Sequence, residues 1–291
     1  MKIKDIQKKV TFSFEIFPPK KTYSSASLAK TFAPLTALQP DFISVTYGAG
    51  GSTIQQNKTV DLCRILKQEY HTEAVAHLTC INSRKSEVAG MLELMKAQGI
   101  ENILALRGDR NPDIVSPGDF HYAWELIAFI HEHSDFDICA ACYPEGHPES
   151  ASLREDVRHL KQKVDAGVSS LITQLFFDNE DFYRFQELCD VADIHVPIHA
   201  GIMPVTNKNQ IERMVSMCGA SLPKKFARMM ARYENDPVAL QDAGISYATE
   251  QIVDLLSSGV DGIHLYTMNK PELAKKISDN VRSLVDARNR Q

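Results

Sequence analysis

Eight short, nearly continuous apolar runs recur along this chain, at residues 12–17, 42–46, 74–79, 103–107, 137–142, 170–176, 197–200 and 262–266. Between them lie stretches such as 25–38, 57–70, 86–99 and 180–192, whose apolar residues recur three and four apart. A run apolar on both faces is what a parallel strand covered by helices requires. A three-and-four spacing gives a helix one apolar stripe to lay on such a sheet. Eight strand–helix units in 291 residues, with no Pro/Gly/Ser-rich linker and no abrupt change of composition, predict one domain over 1–291 with an α/β, (β/α)8 barrel fold. A doubly wound open sheet is the alternative. It is weakened because no G-x-G-x-x-G follows the first strand, and GAGGST at 48–53 does not match that fingerprint. The stretch 207–252 is long for one crossover and reads as three helices, at 210–223, 224–234 and 244–259.

Composition narrows the partners. A net charge of -5 leaves no excess of cations to neutralise phosphates, so no nucleic-acid partner is expected. No apolar run reaches the roughly 18 residues of a membrane span, and the first ten residues lack the apolar core of a secretory signal. Six scattered cysteines read as small buried hydrophobes in a reducing cytoplasm. Cys139 and Cys142 form a C-x-x-C inside a strand, where period two puts them on opposite faces and disfavours a shared metal.

Chemistry collects at the strand ends. Glu15 ends the first run; Thr46 and Tyr47 end the second; His77 lies on the third; Arg107, Gly108 and Asp109 close the fourth. Tyr143 and His147 follow the fifth, Gln174 lies in the sixth, and Tyr266 to Asn269 close the eighth. Carboxyl ends of barrel strands share one rim, where active sites sit. Phe12, Phe14 and Ile16 alternate with Thr11, Ser13 and Glu15, so Glu15 is expected to point inward. Burial there raises a carboxyl pKa and suits a proton donor near neutral pH; pairing with a cation such as Arg107 is the other reading. LRGD at 106–109 reads equally as a ligand-hugging backbone or an ordinary turn. In 153–167, Asp156, His159 or Leu160, and Lys163 share a stripe that is either a solvated ion-pair face or a polar clamp.

Nine segments in order carry a resemblance: FSFEIFPPK, SVTYGAG, AHLTC, LALRGD, YPEGHPE, LKQKVDAG, ITQLFFD, GIMPVTN and HLYTMN. Together they resemble bacterial methylenetetrahydrofolate reductases of the short form, the catalytic barrel without an S-adenosylmethionine-binding regulatory domain. The resemblance implies a cytoplasmic FAD enzyme that passes a hydride from NADH or NADPH to the flavin. Reduced flavin then passes it to 5,10-methylenetetrahydrofolate, giving 5-methyltetrahydrofolate for methionine synthesis. It also implies a homo-oligomer and no metal. By the same resemblance Glu15 is the general acid, Asp109 the carboxylate near folate and flavin, and Gln174 an amide shared by folate and nicotinamide. Thr46, Tyr47, Ala49, His77, Arg107, Gly108, Asp109, Tyr143, His147, Ser150, Asp156, His159, Gln162 and Lys163 match FAD positions, Thr46 also lying near the nicotinamide. Gln210 and Lys270 match folate positions.

Some residues depart from that pattern. Gly50 and Gly51 replace more polar residues, Met214 an aromatic, and Lys270 an arginine; Ser150, His159 and Gln162 differ as well. A lysine cannot repeat the bidentate grip of an arginine on a carboxylate. A flavin barrel oxidising a small amine would want a carboxylate-binding arginine pair near the eighth unit, where Lys270 stands. A non-catalytic flavin- or folate-binding barrel would have no need of Glu15.

Overall fold

The computed structural model describes residues 1–19, 24–47, 53–109, 116–207, 209, 212, 215–216 and 218–290, with residues 25 and 53–56 described by backbone alone. Its eight strands are β1 (Thr11–Ile16), β2 (Ile43–Val45), β3 (Ala74–Thr79), β4 (Asn102–Leu106), β5 (Asp137–Cys142), β6 (Ser170–Thr173), β7 (Ile198–Ile202) and β8 (Gly262–Tyr266). They close in sequence order into a parallel barrel, as the apolar runs predict. The α-helices with both ends among the described residues are α1 (Ser25–Thr36), α2 (Thr53–Glu69), α3 (Lys85–Ala97), α4 (Ala123–His133), α5 (Leu153–Asp165), α6 (Asn179–Val191), α7 (Lys224–Tyr233), α8 (Pro237–Ser258) and α9 (Pro271–Arg290). Among the described residues no helix is long and apolar enough to cross a membrane.

The boundaries differ from the sequence reading where a local bond overrides the apolar run. β6 stops at Thr173, not at residue 176. The Leu175 N–H is taken by the Gln174 side chain at 2.9 Å, which ends the run as a strand. β7 begins after Pro197, which has no N–H to donate, and runs on to Ile202. α8 starts seven residues earlier than its periodicity suggests, because Asp236 accepts from the Val238 and Ala239 N–H groups and Pro237 fills the first turn. Of the helix expected at 210–223, residues 212, 215, 216 and 218 are helical, 219–223 are not, and 210, 211, 213, 214 and 217 lie outside the described residues.

The chain groups into two compact units. One comprises Met1–Gln7, Ser13–Ala141 and Gln162–Leu171. Its register sets Glu15 beside Ser44, Ser44 beside Val75, and His77 beside Leu104. The amino-terminal segment is tied down by backbone donors: Ile3 to Asn102 Oδ1 and Lys4 to Asp137 Oδ2, both at 2.9 Å. The other unit comprises Lys8–Phe12, Cys142–Lys161 and Ile172–Gln291. Phe177 stacks on Phe226 with centroids 4.5 Å apart, and Tyr247 donates to the Phe177 carbonyl at 2.6 Å. Gly244 lies against Val205: a Cβ there would sit 1.9 Å from the Val205 carbonyl oxygen, so any side chain must displace backbone.

This second unit also buries two imidazoles. His199 Nδ1 lies 2.9 Å from Thr11 Oγ1, and a Cβ on Gly262 would fall 2.4 Å from both of those atoms. Burial pushes His199 down to about 3, with His264 adding to the effect, and burial pushes His264 down to about 3 as well. Both rings are therefore neutral at physiological pH. No two of the six cysteines form a disulfide; five are buried.

Candidate active site

Glu15 enters the site from β1, with Ser44 beside it on β2. The Ser44 hydroxyl donates to Glu15 Oε2 at 3.4 Å, and His77 Nε2 stands 3.5 Å from the same oxygen. The Glu15 side chain keeps 20% of its surface and that of His77 7%. Burial raises the Glu15 pKa, while His77 and the Ser44 hydrogen bond pull it part of the way back. A carboxyl in this state holds a proton to higher pH than an ordinary glutamate and can still reach a reactant. Ser44 and His77 thus set a hydroxyl and an imidazole beside Glu15. The Arg107 guanidinium donates through Nε to the Gly108 carbonyl at 3.2 Å.

The chain just past β4 is held by the segment that follows β3. The Arg107 carbonyl accepts from the Cys80 and Ile81 N–H groups, at 3.2 and 2.9 Å. Gly108 has φ +84, and a Cβ there would meet Thr79 Cβ at 3.0 Å. This position needs glycine for its backbone and for its space. Asp109 follows and is exposed. At the end of β2, the Thr46 carbonyl accepts from Thr59 Oγ1 at 3.0 Å, and Tyr47 is half-buried. Ala49, Gly50, Gly51, Gln210 and Met214 lie outside the described residues.

After β5, Tyr143 meets His147 edge to face, with centroids 4.7 Å apart. His147 Nδ1 accepts from the Glu149 N–H at 3.1 Å, which leaves Nε2 to carry the proton of the neutral ring. The Ser150 hydroxyl donates to Asp156 Oδ1 at 2.9 Å, joining this loop to the first turn of α5. Lys163 donates to the Ala141 carbonyl at 2.9 Å. Asp156 and Leu160 are buried and Lys163 half-buried, whereas His159 and Gln162 are exposed. The inward stripe of α5 therefore runs through Leu160, and His159 lies off it.

Gln174 stands just past β6. Its N–H donates to the Cys142 carbonyl at 2.7 Å, and its Oε1 accepts from the Leu175 N–H. A backbone N–H can only donate, so the side-chain atom it meets is the amide oxygen and the NH2 group is the other end of that amide. Past β8, Met268 and Asn269 both take left-handed backbone, with φ of 53 and 54. That turn delivers Lys270, whose ammonium donates to Thr206 Oγ1 at 2.9 Å. Sequence reasoning did not single out Ser44. It is a small polar residue in an apolar run, and only the strand register shows that it faces Glu15.

Comparison with known proteins adds an independent line. Residues 2–282 match the family model for methylenetetrahydrofolate reductase. The chain is 36% identical over 273 residues to the 5,10-methylenetetrahydrofolate reductase of Pectobacterium carotovorum subsp. carotovorum, covering 94% of this chain and 90% of that one. The Escherichia coli (strain K12) enzyme of that name gives 36% identity, with 94% and 91% covered. The Arabidopsis thaliana protein "Methylenetetrahydrofolate reductase (NADH) 1" is 34% identical, and 98% of this chain matches 51% of its length. Among solved structures, an uncharacterized protein from Clostridium thermocellum that binds two copies of 5-methyl-5,6,7,8-tetrahydrofolic acid superposes with a TM-score of 0.62. It covers 96% of this chain and 95% of that chain, at 13% identity, and speaks to the fold alone. A match running through nearly all eight strand–helix units, together with relatives above one-third identity along most of their length, settles the lineage: this chain belongs to the methylenetetrahydrofolate reductase family.

Proposed function

We propose that the chain, acting as one catalytic domain, reduces 5,10-methylenetetrahydrofolate to 5-methyltetrahydrofolate with NADH or NADPH as donor and FAD as resident cofactor. The observation that carries this reading is Glu15: a carboxyl held between Ser44 and His77, its pKa raised by burial, with a fifth of its surface still open. Opening the five-membered ring of the folate needs a proton on the leaving nitrogen. Glu15 holds that proton and delivers it. The ring-opened iminium is cationic, and Asp109 supplies the opposing charge. Gln174 meets, through its NH2 group, acceptor atoms of the folate and, in turn, of the nicotinamide. Lys270 engages the folate as a point charge rather than a fork; Gln210 completes that side.

The residues present suit the flavin. Arg107, Lys163 and the His147 N–H are donors matched to phosphates, and the Ser150–Asp156 pair is matched to hydroxyls. Gly108 lets backbone approach a flat ring. Thr46, Tyr47, Ala49, His77 and Tyr143 line the same cofactor in this reading, with His159 and Gln162 on its solvent side. When bound, FAD supplies a carrier that accepts a hydride from the nicotinamide and later yields it to the folate, in a ping-pong sequence. The cytoplasm and a homo-oligomeric state belong to the same reading, and the lack of disulfides agrees with the former.

A stopped-flow trace at the flavin absorbance band tests the proposal. FAD-loaded protein is reduced anaerobically with NADH and then mixed with methylenetetrahydrofolate. Bleaching followed by rapid recovery is the expected result. Bleaching without recovery removes the folate assignment; no flavin binding removes the whole reading.

A further inference from the structure

We propose that Tyr266 is a positioning residue for Gln174, acting through the peptide unit that joins Thr173 to Gln174. This rests on the reading of Gln174 as a substrate contact. Gln174 lies beyond the last ladder residue of β6, so the sheet alone does not fix it. Its placement depends on a few bonds at that one peptide. The Tyr266 hydroxyl donates to the Thr173 carbonyl at 2.6 Å. The Thr173 hydroxyl accepts from the Gly201 N–H at 2.8 Å. The Gln174 N–H donates to Cys142 at 2.7 Å. The carbonyl of Thr173 and the N–H of Gln174 belong to the same planar amide, so holding both ends fixes its rotation. That rotation sets where the Gln174 side chain begins.

Two further features show that the contact is built in. A Cβ on Gly201 would lie 2.4 Å from the Thr173 carbonyl oxygen and 2.8 Å from the Tyr266 ring and hydroxyl, so glycine alone admits the phenol there. His264 meets the Tyr266 ring edge-on, with centroids 5.6 Å apart and planes at 87°, and holds it from behind. Tyr266 touches no reacting atom in this scheme. It keeps the amide of Gln174 aimed at carbonyl or ring-nitrogen acceptors.

A double-mutant cycle tests this on the full chain loaded with FAD, reading the Kd for 5-methyltetrahydrofolate by calorimetry. Tyr266→Phe keeps the ring and deletes the bond; it should weaken binding by about 3- to 10-fold, the scale of one hydrogen bond. Gln174→Ala should weaken binding at least as much. In the Gln174→Ala background, Tyr266→Phe should then cost less than about 2-fold, because the group it positions is gone. The same loss in both backgrounds would make Tyr266 merely structural and overturn the proposal. Full affinity in Gln174→Ala would overturn the reading of Gln174 itself, and the proposal with it. Thr173→Val, which removes the Gly201 contact, runs the same cycle from the other side of the peptide and serves if Tyr266→Phe does not fold.

Discussion

Two polar interiors in this molecule look alike on paper and behave oppositely. In one, Glu15 sits with Ser44 and His77, and burial makes it hold its proton. In the other, His199 and His264 sit with Thr11, and burial makes them give theirs up. The first keeps a fifth of the carboxyl surface open; the second is closed, with His264 at 0% exposure and His199 at 3%. A buried titratable group is therefore no signature of catalysis by itself. What separates the two is whether the shifted proton can reach a reactant. The signs with respect to stability also differ. Glu15 has a raised folded pKa, so its contribution to folding is full below the ordinary carboxylate range and is lost as pH rises through the raised value. The histidines have lowered folded values, so theirs is full above about 6.5 and is lost as pH falls towards about 3.

The contrast can be broken at either end. Glu15→Gln should slow reoxidation of the reduced flavin by methylenetetrahydrofolate by about 10²- to 10⁴-fold and leave NADH-driven bleaching intact; unchanged folate turnover in stopped flow would remove Glu15 from the chemistry. Gly262→Ala forces a methyl between His199 and Thr11 and should cost about 1–3 kcal/mol in urea unfolding. The folded fraction should still turn over, and a selective loss of turnover would show that this closed interior serves the reaction too. His264→Gln should flatten the fall in stability between about pH 6.5 and about 3, read as urea midpoints across that window; an unaltered slope would assign acid sensitivity elsewhere. The smallest effect belongs to Ser44→Ala. Its hydroxyl lowers the Glu15 pKa, so its loss should move the high-pH limb of the folate half-reaction upward, with little change in maximal rate.

Much of the barrel was legible because parallel strands are apolar on both faces and stand out as runs. Helix α4 did not stand out: AWELIAFIHEH is apolar nearly all round and hides its period. The true start of α8 was masked by Gly244, which looks like a boundary but sits mid-helix because Val205 backbone approaches it. At the site, period two was enough to turn Glu15 inward. It could not supply Ser44 or the Tyr266–Thr173 bond, since which residues stand opposite across strands is a property of register. The roles expected of Asp109 and of the α5 residues came only through family resemblance. An exposed aspartate after a glycine carries no local signal, and the helical stripe gave His159 and Leu160 equal standing until burial chose Leu160.

The turn at Met268 and Asn269 has an energetic cost. Left-handed backbone costs an L-residue roughly 1–2 kcal/mol, a penalty asparagine softens and methionine does not. Glycine at 268 would relax the backbone but strip a side chain that packs against the apolar cluster of Leu175, Phe177 and Met203, a loss at least as large as the strain relieved. It would also free Lys270 from the single direction in which this backbone delivers it. Position 268 thus sets side-chain packing against backbone strain, and the same strained turn fixes the direction in which the chain presents Lys270.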